Sequence, residues 1–156
     1  MTQKDKVTFS NAGSTVSDAG LSQYLGYHLK RASDVIQTDL ARVLKPFDLR
    51  VLTFSALVLI DENQGLSQTQ LADAMGMERP NLVAIVDALE QRGLVQRQQA
   101  PTDRRAYALQ ITPQGKTLCA TVKAAVALHE STLLQDLDDA TRTTVIAAMK
   151  TIRQAT

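Results

Sequence analysis

Hydrophobic residues recur at spacings of three and four from Leu21 onward: Leu21, Leu25, Leu29, Ala32, Ile36, Leu40 and Val43. That period lines one face of a helix. Pro46 ends it near Leu44, because proline lacks the N–H needed to extend the ladder. Asp48 is placed to cap a second helix over about 49–61, with "DENQG" as its exit. In "LSQTQLADAMG", Ser67 stands three residues before Gln70, a capping box that satisfies two backbone N–H groups at a helix start. Leu71, Ala74 and Met75 give that helix an apolar face, and Gly76 supplies the left-handed residue that closes it. "ERPNLVAIVDALEQRG" opens another helix at once. Pro80 falls in its first turn, where a missing donor costs nothing. Leu82, Ile85, Val86 and Leu89 form its stripe, and Gly93 ends it. Two short helices across a glycine turn predict a helix-turn-helix.

After Gly93 the period changes. "LVQRQQ" and "AYALQIT" are extended runs, and in the second Tyr107, Leu109 and Ile111 alternate with Ala108 and Gln110. This pattern predicts a β-hairpin with its tip over 100–105. Thr112 or Pro113 then opens a long helix through Leu134, with Leu118, Val122, Val126 and Leu133 as its stripe. Asp138 or Asp139 caps a final helix carrying Val145, Ile146, Met149 and Ile152. Residues 1–20 are polar and poor in large apolar side chains, and read as a flexible extension. The predicted class is mainly α with a small β-hairpin, a winged helix-turn-helix over 49–112 between helices over 21–45 and 113–155.

Composition narrows the function. Of 156 residues 44% are hydrophobic and only 4% aromatic, with no Trp, so the core is aliphatic and suits packed helices. The longest apolar stretch, 52–60, is broken by Thr53 and Ser55 and falls short of the roughly 20 residues that span a bilayer. The N-terminus lacks the apolar run of a secretory signal. With Cys119 alone, no intrachain disulfide forms. These features point to the cytoplasm and away from membranes. Two histidines and one cysteine on separate helices offer no nucleophile–base pair and no metal spacing, and no Gly-rich phosphate loop is present. An enzyme, a metal and a cofactor are therefore not expected.

Net charge is only +1, and residues 51–105 hold five arginines against seven acids. Bulk charge does not suggest nucleic acid, so any such reading rests on where the arginines stand. Arg104 and Arg105 stand together at the hairpin tip with Asp103 beside them. A hairpin attached to a helix-turn-helix is a winged helix. Its second helix enters the major groove while the wing reaches across the backbone. A duplex would supply the charge that the protein withholds from these guanidinium groups, with Asp103 orienting one of them. The alternative is a solvated hairpin tip.

Residues 66–115 resemble the winged helix of the MarR family of bacterial transcription regulators. The matching pieces are "SQTQLADAMGM", "NLVAIVDALEQRGLVQR" and "DRRAYALQITPQG", and the flanking helices fit the family's plan over about 21–155. The resemblance implies a homodimer built on helices 21–45 and 113–155, a palindromic double-stranded DNA operator, and a repressor released by a small aromatic acid or phenol. Carried over by position, Arg79, Pro80, Asn81 and Ala84 reach base edges, and Ser67, Gln68 and Thr69 touch phosphates. Glu78 departs from the pattern, because an acid at the groove entrance repels phosphate; it is placed to cap the helix instead. Arg97 either reaches the DNA backbone or pairs with Asp87 or Glu90. Tyr24, His28 and Arg31, with Thr53 and Phe54, suit an aromatic carboxylate. The alternative places Tyr24 and His28 as dimer-interface residues, and Arg31 as an ion pair across it. "YLGYHLKRASDVIQ" resembles regulators of aromatic-compound catabolism. Cys119, with Lys116 and Lys123 in helical reach, sets up a thiol-based redox sensor as the alternative. His129 falls near the stripe of the long helix, as a core or interface residue.

Overall fold

The computed structural model describes residues 9–11, 14–100 and 103–155. The chain forms two compact units, residues 1–40 and 41–156. In the first, β1 (Phe9–Asn11) and β2 (Ser14–Val16) pair antiparallel within the stretch read from sequence as an extension. Helix α1 (Leu25–Leu44) starts four residues later than the apolar period suggests. The residues ahead of it form turns instead, with the Leu21 and Ser22 amides both donating to Asp18 O at 2.8 and 3.0 Å.

The second unit holds the winged helix. A 3-10 turn at Lys45–Phe47 contains Pro46, and α2 (Val51–Glu62) follows. Asp48 does not cap α2. It sits at φ 52° closing the 3-10 turn, its N–H bonded to Lys45 O, and Arg50 occupies the cap position with no side-chain bond. The expected cap is therefore two residues too early, because the chain needs Asp48 for a left-handed corner that Asp tolerates better than most residues. Helix α2 is apolar nearly all round because it lies at the centre of the core. Ala56, Leu57 and Ile60 pack with Leu71, Leu82, Val86, Leu89, Leu94, Leu109 and Cys119, all of them buried.

Strand β3 (Leu66–Ser67), helix α3 (Gln68–Met75), helix α4 (Arg79–Gln91), strands β4 (Val95–Ala100) and β5 (Asp103–Ile111), and helices α5 (Pro113–Leu133) and α6 (Asp139–Arg153) complete the order. The sheet has three strands in the order β3-β5-β4, one more than the hairpin read from the sequence. Leu66 pairs with Leu109, so the two-residue β3 ties the start of the helix-turn-helix to the wing. The capping box forms as expected. Gln70 N–H donates to Ser67 Oγ at 3.2 Å and Ser67 N–H to Gln70 Oε1 at 2.9 Å. Gly76 closes α3 at φ 62° and Gly93 follows α4 at φ 65°. Ser67→Ala removes one arm of this box and is expected to cost about 1 kcal/mol of stability. Urea unfolding of the full chain checks it, and a midpoint equal to the unmodified protein's would show the cap to be idle.

Candidate nucleic-acid interface

The exposed side of α4 is set by what its other side buries. Leu82, Val86 and Leu89 point into the core, which leaves Arg79, Pro80, Asn81 and Ala84 exposed along the first turns. The side chains of Arg79 and Asn81 have no hydrogen-bond or ion-pair partner among the described residues, so their donors remain available to a ligand. Glu78 takes the N-cap position of α4 by backbone conformation, but its side chain makes no cap bond. That expectation is corrected: only the Glu78 carbonyl is engaged, by Asn81 and Leu82 N–H at 3.1 and 3.3 Å.

At the start of α3, Ser67 and Gln68 are half-buried and Thr69 is exposed. The Ser67 hydroxyl is occupied by the capping box, accepting from Gln70 N–H and lying 3.1 Å from Gln70 Oε1. Gln68 Oε1 is buried with no partner among the described residues. In the wing, β4 and β5 run in register from Val95↔Ile111 to Gln99↔Tyr107, then shift so that Ala100 opposes Asp103. Asp103, Arg104 and Arg105 are thus strand positions at the far end of β5. Their side chains, and residues 101–102, lie outside the described residues.

Of the two roles open to Arg97, the structure shows the ion pair, and with both acids at once. Its Nη2 lies 2.5 Å from Asp87 Oδ1 and its Nη1 bonds Glu90 Oε2. Partial burial pulls this guanidinium down, but the two carboxylates outweigh it and hold it above its ordinary range.

The residues marked for an aromatic ligand fall in different parts of the chain. Tyr24 is exposed just before α1, His28 Nε2 lies 2.8 Å from Ser22 O, and Arg31 sits 5.8 Å from the Tyr27 ring centre. On α2, Thr53 and Phe54 are half-buried. Thr53 lines an open groove of about 950 Å³ between the start of α2 and the Ala84–Ala88 side of α4. Tyr27 went unnoticed in the sequence. It donates to Asp18 Oδ2 at 2.8 Å, and burial with that carboxylate pushes its phenol up.

Comparison with known proteins matches residues 51–107 to the MarR family. A protein assigned to regulation of the hcr operon in Thauera aromatica is 36% identical over 127 residues, covering 81% of this chain and 76% of the relative. The chain belongs to the MarR family. Among solved structures, the repressor CouR bound to a 23-mer DNA duplex superposes with TM-score 0.85 at 39% identity, covering 90% of this chain and 99% of that one. CouR from Rhodococcus jostii bound to p-coumaroyl-CoA gives 0.79 at 31% identity, covering 86% and 95%.

As a MarR-family protein it is a DNA-binding transcription regulator and not an enzyme. No helix of the described residues is long and apolar enough to cross a membrane. Cys119 does not fit the redox alternative. It is fully buried, and burial together with Asp61 pushes its thiol up, opposed by Lys123. A sensing thiol needs the reverse shift and access to oxidant. Lys123 is itself paired, 2.8 Å from Glu62. His129 Nε2 is buried with no partner among the described residues. Arg92, at the end of α4, is a further residue the sequence did not disclose. It donates to Phe47 O and Asp48 O at 3.0 and 2.5 Å, bonds across more than forty residues that no local pattern marks.

Proposed function

We propose that this MarR-family protein is a homodimeric, cytoplasmic repressor that binds a palindromic operator. A small aromatic effector, an aromatic acid or the coenzyme A thioester of one, releases it. The exposed leading turns of α4, with the unpartnered Arg79 and Asn81, carry the DNA part of the reading. CouR, alike over 90% of this chain, is a repressor that binds a DNA duplex in one structure and p-coumaroyl-CoA in another, which supports both halves. Helices over 21–45 and 113–155 serve dimerisation, and 49–112 serves DNA. Val145, Ile146, Met149 and Ile152 on α6 are each at least 40% exposed in the single chain, an apolar surface that a second copy would cover.

On DNA, Arg79, Pro80, Asn81 and Ala84 address the major groove; Ser67, Gln68 and Thr69 address phosphates; and the wing brings Asp103, Arg104 and Arg105 to the adjacent backbone. Half-sites lie about one helical turn apart, so both recognition helices meet one face of the duplex. We assign effector contacts to Tyr24, His28, Arg31, Thr53 and Phe54. The effector acts by binding one dimer conformation better than the other.

The test is a fluorescence-anisotropy titration of a duplex selected by the protein from a random library, repeated with p-coumarate and with p-coumaroyl-CoA. Release by either ligand, matched by a rise in Tm, supports the mechanism. DNA binding unmoved by every aromatic acid and thioester tried would remove the effector half. Asn81→Ala is expected to relax base preference at one position of each half-site, by about 1–3 kcal/mol of discrimination. An unchanged ranking of operator variants would show that Asn81 does not read a base.

A further inference from the structure

We propose that Arg97 is a positioning residue that locks the wing to the recognition helix and makes no contact with DNA, an inference that rests on the DNA-binding reading above. Three bonds converge on it. Nη2 meets Asp87 Oδ1, Nη1 meets Glu90 Oε2, and the Arg97 backbone N–H donates to Glu90 Oε1 at 3.1 Å. Its side chain is only 18% exposed, whereas those of Asp87 and Glu90 are 47% and 39% exposed. The guanidinium is thus turned inward and the acids face out.

Topology gives this clamp its purpose. Strand β4 is an edge of the β3-β5-β4 sheet, so one side of it lacks a strand partner. Glu90 takes an amide of that strand and its side chain together. Asp87 and Glu90, three residues apart, share one side of α4. The recognition helix therefore grips β4 at Arg97, two residues before the register irregularity at Gln99/Ala100 where the wing leaves regular pairing. A protein that contacts major groove and backbone together needs a fixed distance between helix and wing. The clamp supplies it at the wing's base.

Charge argues the same way. One guanidinium and two carboxylates leave the cluster at minus one, which does not attract phosphate. A phosphate approaching Arg97 would meet a side chain only 18% exposed, flanked by two carboxylates that repel it.

The experiment uses full-length protein and the selected duplex, titrated across about 50–200 mM salt, where each lost phosphate contact reduces the log–log slope by about 0.9. Arg104→Ala is the reference, expected to flatten the slope by about 1.8, because the homodimer loses one such contact on each protomer. Arg97→Met is expected to weaken binding at least about tenfold with the slope unchanged, a loss of about 1.4 kcal/mol. Glu90→Gln is expected to weaken binding too, although it removes an acid, and Arg97→Met/Glu90→Gln to be no weaker than the poorer single variant. Asp87→Asn leaves both Glu90 bonds and gives a milder loss of the same kind, which covers the case of Arg97→Met failing to fold. A flattened slope for Arg97→Met, or tighter binding by Glu90→Gln or Asp87→Asn, overturns the clamp. If the unmodified protein shows no salt-dependent binding to any selected duplex, the DNA reading fails instead, and the two failures are distinct.

Discussion

Arg104→Glu/Arg105→Glu is expected to lower affinity for duplex DNA by at least about a hundredfold, since a hydrogen bond to a charged group contributes about 1.5–3 kcal/mol and two are reversed. The salt slope should shrink by about 3.6, about 0.9 for each of the four guanidinium groups the homodimer brings to the duplex. The reasoning starts from the charge distribution. Residues 51–105 carry more acids than bases, so attraction to phosphate depends on a few placed arginines. Arg97 and Arg92 are both spent inside the protein, on carboxylates and on backbone carbonyls. That leaves Arg79 on α4 and the wing pair to meet the duplex. Stability should hardly change, because among the described side chains of β5 the buried one is Leu109, several residues along the strand from this pair. Anisotropy titration and thermal unfolding of the same preparation measure both quantities. Unchanged DNA retention in a properly folded variant would refute the wing as a duplex contact.

Gly115→Ala is expected to destabilise the winged helix by on the order of 3 kcal/mol, the upper range for overpacking a close-packed site. Gly115 lies in the first turn of α5, where the chain returns across the end of α4. A Cβ there would stand 2.0 Å from Leu94 O and 2.9 Å from Ile111 Cγ1. The carbonyl cannot yield, because Leu94 O also accepts from Thr112 N–H at 3.0 Å. Thr112 in turn caps α5, its hydroxyl accepting from Gly115 N–H at 3.0 Å and lying 2.6 Å from Gly93 O. A methyl group must therefore push α5 away from β4 or break this cap. Gly26→Ala is the matched control. Gly26 is in α1 with nothing within 4 Å of the added carbon, and the change should stabilise by up to about 1 kcal/mol through helix propensity. Urea unfolding of both variants distinguishes steric demand from helix preference. Equal effects at the two positions would disprove the close approach.

Much of the fold was legible because its signals are local. The Ser67–Gln70 box, the Gly76 turn, Pro80 in the first turn of α4 and the alternation of Tyr107, Leu109 and Ile111 each depend on residues a few positions apart. The structure contains the first three and a strand at the fourth, where of the three alternating residues only Leu109 is buried and Tyr107 is exposed. Local reasoning failed where a short-range preference had to compete with the rest of the chain. Leu21 continues the apolar period of α1 but belongs to a turn. Asp48 has the chemistry of a helix cap but was needed for a left-handed corner. Strand β3 is two residues long, too short for any period, and exists only because β5 offers an edge to pair with.

By itself the sequence determined the order of helices, the helix-turn-helix with its wing, and the side of α4 left exposed, since periodicity and capping are properties of neighbouring residues. Only the tertiary structure decided how the charged and special residues are spent. Arg97 went to Asp87 and Glu90, Arg92 to the corner before α2, Cys119 to the core, and Gly115 to a contact with Leu94. Each choice depends on which distant group arrives within bonding distance. That is fixed by the packing of helices against the sheet and by the high cost of leaving a buried polar group unpaired, neither of which is written in a local pattern.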